Sequence, residues 1–322
     1  MTDMAEFYGV QCLKELCDEF LAKKEKTVET IDELFDFARK YSLPKFRNSV
    51  RSFFWNHYEI MCKSDAFISF EKPFVAYLLA VDISLYKKEI LFEGIYKWAE
   101  HRVLKDQAVE GDENFKFHKA VEAELSTFLP KFKISQMDFD FLKDFVAEKG
   151  FLLSAAKLSH LFLIHNSKNR WGATFKKTYE LAEKQAMKKQ EMCPKKNFIL
   201  RDAVNAYLVD VMPNVKFSSM SLSSLHFAVE KGYFVSSAEI TKAFLSCKDR
   251  KIYSRELSFK EAVELAEILA LKKQEMFPEE NFNLDDSVKA YLVDVLPNVE
   301  FSKMNFNFLK DFVGTSFVLP CL

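Results

Sequence analysis

Apolar residues recur along this chain at i, i+3 and i+4 spacing with polar residues between them, as in YLVDVMP (207–213) and FLKDFV (141–146). No strand-like alternation persists, so the pattern predicts helices throughout. Pro130, Pro213 and Pro297 each stop a helix, and Ser135, Ser218 and Ser302 stand where N-caps of the next helix are expected. Gly150 and Gly232 follow Glu-Lys and suit a C′ position, where the left-handed conformation costs a glycine little. Pro44 suits the first turn of a helix, because its missing N–H is an orphan there anyway.

The pattern repeats. Residues 179–220 and 263–304 share 28 of 42 positions at an offset of 84. A more distant copy lies 83 residues upstream, where Trp98-Ala99-Glu100, Asn114-Phe115, Ala120-Val121, Leu129-Pro130 and Met137 match Leu181-Ala182-Glu183, Asn197-Phe198, Ala203-Val204, Met212-Pro213 and Met220. This copy continues through LKDFVAEKGFLLS (142–154), echoed by LHFAVEKGYFVS (225–236) and by LKDFVGTSFVLP (309–320). A shorter repeat at an offset of 33 pairs residues 4–21 with 37–54: Ala5/Ala38, Tyr8/Tyr41, Val10/Leu43, Leu13/Phe46, Cys17/Val50 and Phe20/Phe53. Each member reads as helix, turn, helix. Repeats of this kind bury their apolar faces on one another.

Composition narrows the function classes. Only 7 of 322 residues are Gly, never closer than 17 positions apart, which excludes G-x-G-x-x-G and P-loop nucleotide motifs. Lys and Arg number 46 against 47 Asp and Glu, so no global basic signal points to nucleic acid or an anionic membrane. The longest purely apolar stretch, 74–81, is too short to span a bilayer. The N-terminus has no signal-peptide pattern, and six cysteines without C-x-x-C spacing read as reduced thiols. The expected compartment is the cytoplasm or nucleus.

The hairpin pattern A-x-x-Y-x-Φ-x-x-Φ is followed by FWNHYEIMCKSDAF (54–67) and LLAVDISLYKKEILFEGIYKWAEH (78–101). With the run Glu89, Leu91, Phe92, Glu93, Ile95, Trp98, these segments resemble the end of a BTB domain running into a BACK domain, as in kelch-like proteins. The chain departs from that pattern at Gly94, where Ala is customary, and at Ile134-Ser135, where Phe-Pro is usual. The resemblance implies an all-α, elongated stack of antiparallel helix pairs. On this reading residues 1–58 are hairpins like the end of BTB and start of BACK, and 59–165 a BACK-like domain. Residues 166–247 and 248–322 are second and third copies of its second half. The implied role is that of a substrate adaptor in a cullin-based ubiquitin ligase, with a cullin and a degradation substrate as partners. The α/β part of BTB is expected to be lacking before Met1. The alternative is an autonomous helical-repeat scaffold without a ligase role.

No catalytic, cofactor-binding or metal-ligating residues are expected: the six histidines form no HExxH, and no nucleophile signature occurs. Two groups are candidates for partner binding. Lys188, Lys189, Lys195 and Lys196 belong to a window, 173–201, that carries +5, whereas the aligned window 257–285 carries −4, with Glu279-Glu280 at the places of Lys195-Lys196. A solvated face that drifted in charge accounts for the reversal, and a bipolar surface meeting a partner or a second copy is the alternative. Phe139, Phe141 and Phe145 recur as Phe306, Phe308 and Phe312, but the middle copy has Leu222, Ser224 and Ala228. Phe115, Phe198 and Phe282 recur after Asn, and Phe132, Phe217 and Phe301 around the turn after Pro. Core packing accounts for such recurrence; exposed rings in the two Phe-rich copies would form a docking groove. Partners are other proteins, with self-association left open.

Overall fold

In a computed structural model, residues 1–83, 86–110, 117–166, 170–249, 254–278 and 282–313 are described. Phe115, Glu279, Glu280, Gly314 and the tail 317–322 lie outside them. Every regular element among the described residues is helical, and none of those helices is long and apolar enough to cross a membrane. The chain forms two compact units, Met1–Asp138 and Phe139–Leu322.

The first unit opens with two hairpins of the same build. Helices α1 (Thr2–Phe7) and α2 (Gln11–Ala22) correspond to α3 (Ile31–Lys40) and α4 (Pro44–Met61). Each pair is joined by a three-residue turn whose second residue, Gly9 or Ser42, has φ of +65° or +50°. In the first turn the Gly9 and Val10 N–H groups donate to Glu6 and Ala5 at 3.2 and 2.9 Å; in the second, Ser42 and Leu43 donate to Arg39 and Ala38 at the same distances. The 33-residue repeat is thus a repeat of backbone geometry. Pro44 occupies the first turn of α4, as its spacing predicts.

Among the described residues, helices α5 (Asp65–Ile68), α6 (Lys72–Leu78), α7 (Lys88–Glu110) and α8 (Phe117–Leu125) complete this unit's α-helices. Leu91, Phe92, Ile95 and Trp98, all buried, form the core face of α7. The Trp98 indole N–H donates to the Phe70 carbonyl at 2.7 Å, so the ring gains about 3 kcal/mol of apolar burial without orphaning its donor. Gly94 is required by a close approach: a Cβ there would lie 2.8 Å from the Cys62 Cβ and 2.9 Å from its carbonyl oxygen.

The second unit contains α9 (Phe139–Phe141), which continues as a π-turn over Leu142–Ala147, then α10 (Ala155–His165), α11 (Trp171–Met192), α12 (Leu200–Leu208), α13 (Leu222–Glu230) and α14 (Ser237–Asp249). Its last described elements are α15 (Arg255–Met276), α16 (Leu284–Leu292) and α17 (Phe306–Phe308), the last also running into a π-turn, Leu309–Val313. The long repeat is plain in the element lengths. Helices α7, α11 and α15 have 23, 22 and 22 residues, each followed by a 9-residue helix and two three-residue 3₁₀ turns. Within the second unit α11 packs on the α9 segment and α15 on α13, while α10 packs on α12 and α14 on α16.

One aromatic contact marks each copy. Phe92 and Phe132, Phe175 and Phe217, and Phe259 and Phe301 meet edge to face with centroids 5.3, 5.9 and 5.4 Å apart. The T-shaped arrangement is the one that ring quadrupoles favour. Phe132 is aligned two residues earlier than Phe217, yet its ring fills the same place. A second contact recurs in the outer copies: Glu89 accepts the Asp138 N–H at 3.1 Å, and Glu256 the Asn305 N–H at 3.0 Å. The middle copy has Gly172 instead of Glu, and a Cβ there would fall 2.0 Å from the Ser224 hydroxyl. Without side-chain bulk, α11 approaches α13 closely.

Gly150 and Gly232 end their helices with φ of +84° and +92°, in the left-handed region expected of them. The serine expectation needs correction. Ser135, Ser218 and Ser302 lie inside the second 3₁₀ turns, whose tight geometry uses up three more residues before the next helix begins. The caps are Ser221 and Asn305, whose side chains accept the Ser224 and Asn307 N–H groups. The π-turn at 142–147 also has a sequence cause: LKDFVAEKG has one residue more than LHFAVEKG, and a single insertion widens one helical turn.

Candidate functional site

The second unit holds a cavity of about 240 Å³ where α10 meets α11 and α12. Small residues make the room: Ala155, Ala186, Ala203 and Ala206 stand where larger side chains would fill it, and Phe198 and Tyr207 supply its rings. Helix α11 stops at Cys193, and the Gln190 side chain then donates to the Lys195 carbonyl at 3.1 Å and accepts the Lys195 N–H at 3.0 Å. This clamp folds the chain back so that Cys193 and Lys195 border the cavity. The Lys189 ammonium lies 5.8 Å from the Tyr207 ring centroid, and burial pushes the Tyr207 hydroxyl above its ordinary pKa. The result is an apolar recess with two cations beside it.

An equivalent cavity, of about 500 Å³, lies one repeat later. Lys273, Ser287, Ala290 and Tyr291 take the places of Lys189, Ala203, Ala206 and Tyr207 at the offset of 84, and Ser237 that of Ala155 at 82. The framework is kept and the lining changes. Asn283 and Asp286 now line the recess, and the Asn283 side-chain oxygen Oδ1 accepts the Asp285 and Asp286 N–H groups at 2.9 and 3.3 Å. Burial raises the Tyr291 hydroxyl as it does Tyr207.

Of the lysines chosen from the sequence, Lys189 and Lys195 line the first cavity. Lys188 is engaged elsewhere, pairing with Glu148 at 3.3 Å and Glu191 at 3.0 Å, and Lys196 is exposed on the turn after α11. Lys184 also reaches Glu148, and the two ammonium groups hold that carboxyl below the usual range.

The phenylalanines lie on other elements. Phe141 stacks on Phe145 at 5.2 Å, and Phe308 on Phe312 at 5.0 Å. Phe312, half-buried, also meets the buried Phe259 edge to face at 6.3 Å. Phe139 is buried against the His165 ring, 4.7 Å away, and Leu222 is buried as well, but Phe306 is 76% exposed. Helices α11 and α15 pack on the segments that carry Phe139 and Leu222. The rings and the cavity lysines therefore belong to different surfaces.

The charge reversal between copies has local partners. Lys216 lies 5.4 Å from the Trp171 ring centroid, whereas its counterpart Glu300 pairs with Arg255, the counterpart of Trp171, at 3.4 Å. Arg201, replaced by Asp285 in the next copy, donates to the Gly232 carbonyl at 3.1 Å. The junction cavities themselves escaped sequence reading, although Ala206-Tyr207 and Ala290-Tyr291 are identical in the aligned copies and were a signal for them.

Among the described residues no group of three or more His, Cys, Asp and Glu side chains is placed to hold a metal ion. No protein family, curated protein or solved structure matches the chain.

Proposed function

We propose that this protein is a non-catalytic interaction protein that holds segments of other proteins at the junction cavities of its second unit. One observation carries this reading: a single framework of Tyr, Lys and small residues recurs at two successive junctions with opposite linings. An apolar recess beside Lys189 and Lys195 suits an apolar side chain followed by a carboxylate, and the polar recess at Asp286 suits a hydrogen-bonding segment. In this reading the helix pairs stack antiparallel into an elongated repeat, and the protein works in the cytoplasm or nucleus. The resemblance to BTB/BACK proteins extends the proposal to a cullin-based ligase adaptor; its support is the α7 helix, whose family-like positions Leu91, Phe92, Ile95 and Trp98 all face the core. The second reading is an autonomous scaffold.

The test pans a random peptide library on the full chain and on its Lys189→Glu, Lys195→Glu double variant. Peptides with an apolar residue next to acidic ones, bound by the parent and lost by the variant, are expected. Equal recovery by both proteins sinks the cavity assignment. Titration of a purified cullin N-terminal domain into the full chain separates the two readings: micromolar or tighter binding supports the adaptor, and no binding leaves the scaffold.

A further inference from the structure

The two N-terminal hairpins have the same backbone but unlike surroundings. On the second, Tyr41, Leu43, Phe46 and Val50 are buried, and α2 packs along α4. Three carboxylates of the first hairpin hold it there. Asp18, only 5% exposed, accepts the N–H groups of Lys45 at 3.0 Å and Phe46 at 2.7 Å, Glu19 pairs with the Lys45 ammonium, and Asp3 accepts from the Tyr41 hydroxyl. The cap of α4 therefore comes from the neighbouring hairpin, since no side chain near the helix start supplies one.

Thirty-three residues earlier the counterparts are Tyr8, Val10, Leu13 and Cys17. Tyr8 and Val10 are exposed and Leu13 and Cys17 half-buried, while Phe7, Leu16 and Phe20, exposed by 82, 63 and 75%, widen the same apolar surface. Helix α2 has no side-chain cap either. Its Cys12 and Leu13 N–H groups stand where Lys45 and Phe46 stand on the next hairpin. So large an apolar surface beside an uncapped helix start is what a covering element would bury.

We propose that the α1–α2 face docks an amphipathic helical hairpin of a partner polypeptide, whose carboxylate caps α2 at Cys12 and Leu13 as Asp18 caps α4. A second acidic residue of the partner accepts from the Tyr8 hydroxyl, as Asp3 does from Tyr41. The occupant is defined by the interface already present one repeat along, and this inference is independent of the junction cavities.

The experiment uses the full chain with an extra copy of residues 1–33 fused before Met1, which keeps the repeat register; Cys12 and Cys17 of the added copy are changed to Ser. The probe is the protein's own hairpin, held at high effective concentration by the fusion. Alkylation of the native Cys12 by iodoacetamide is followed by mass spectrometry, with circular dichroism confirming that each variant is folded. The added hairpin is expected to slow alkylation by about tenfold, the factor that ~1.4 kcal/mol of docking free energy produces. Asp18→Ala in the added copy, or Leu16→Glu with Phe20→Glu in the native hairpin, is expected to restore the original rate. An unchanged rate with the intact added hairpin overturns the proposal, as does equal protection by the Asp18→Ala copy. Light scattering of the unfused chain gives the last outcome: a dimer that Leu16→Glu dissociates makes a second copy the occupant and also overturns it.

Discussion

Replacing Asp18 perturbs the contact that holds the two N-terminal hairpins together. Its buried carboxylate accepts two N–H groups at the start of α4, and the one from Phe46 is itself buried. Asp18→Ala leaves that N–H without an acceptor, at a cost of about 2 kcal/mol, and removes a charge that favours the helix start, worth about 1 kcal/mol. Lys45 is exposed, so its N–H recovers water. The sum is about 3 kcal/mol for Asp18→Ala; Asp18→Asn keeps one neutral acceptor and is expected to cost about half as much. The first unit contains Trp55 and Trp98, so urea unfolding followed by tryptophan fluorescence in a Trp171→Phe background reports on it alone. With a urea slope of about 2 kcal/mol per molar, the midpoint of Asp18→Ala falls by roughly 1.5 M. Glu19→Gln, which disturbs only the exposed ion pair, leaves the midpoint where it was. A loss below about 0.5 kcal/mol for Asp18→Ala, or an equal loss for Asn and Ala, means that the Asp18 carboxylate does not cap α4.

Three further outcomes are expected. Burial, with the nearby charges of Asp36, Glu71 and Glu33, pushes the Asp32 carboxyl up to about 6. Its folded value exceeds the unfolded one of about 3.9, so its stabilising effect is full below that pH and is lost as pH rises through 6. Asp32→Asn therefore raises stability at pH 7 by about 1–2 kcal/mol, read as a higher melting temperature, and flattens the pH profile between 4 and 6.5; an unchanged profile rejects the assignment. Gly172→Ala, which would gain about 1 kcal/mol in an open helix, instead costs about 2 kcal/mol because its Cβ meets Ser224, and Ser224→Gly recovers it in thermal unfolding. Glu300→Lys sets three cations together, with Arg255 and Lys303, and lowers stability by about 1 kcal/mol at low salt; Arg255→Trp restores it, as the middle copy's Lys216 beside Trp171 indicates. Failure of that rescue shows that the two copies do not substitute for each other here.

Much of the architecture was legible in the residues. Helical spacing, the prolines after each nine-residue helix and the offsets of 33 and 84 marked elements that the structure places at those positions, because they rest on local periodicity and on turns that few residues adopt. The change of offset from 83 to 82 within 142–150 likewise foreshadows the π-turn there. The serine caps misled, because a 3₁₀ turn and an α-helix start alike in sequence. The candidate surface was legible in part: Lys189 and Lys195 border a cavity, but Lys188, one residue away, points to Glu148 and Glu191.

Helicity, repetition and the positions that the copies hold in common can be read from the residues alone, since period and identity are properties of the chain. Tertiary structure alone decided which equivalent positions are covered. Phe139 and Phe306 are equivalent positions of the repeat but have 4% and 76% exposure, and Tyr41 is buried where Tyr8 is open. Burial belongs to pairs of elements: a side chain is removed from water only by a neighbour, and the neighbour of a repeat is another repeat.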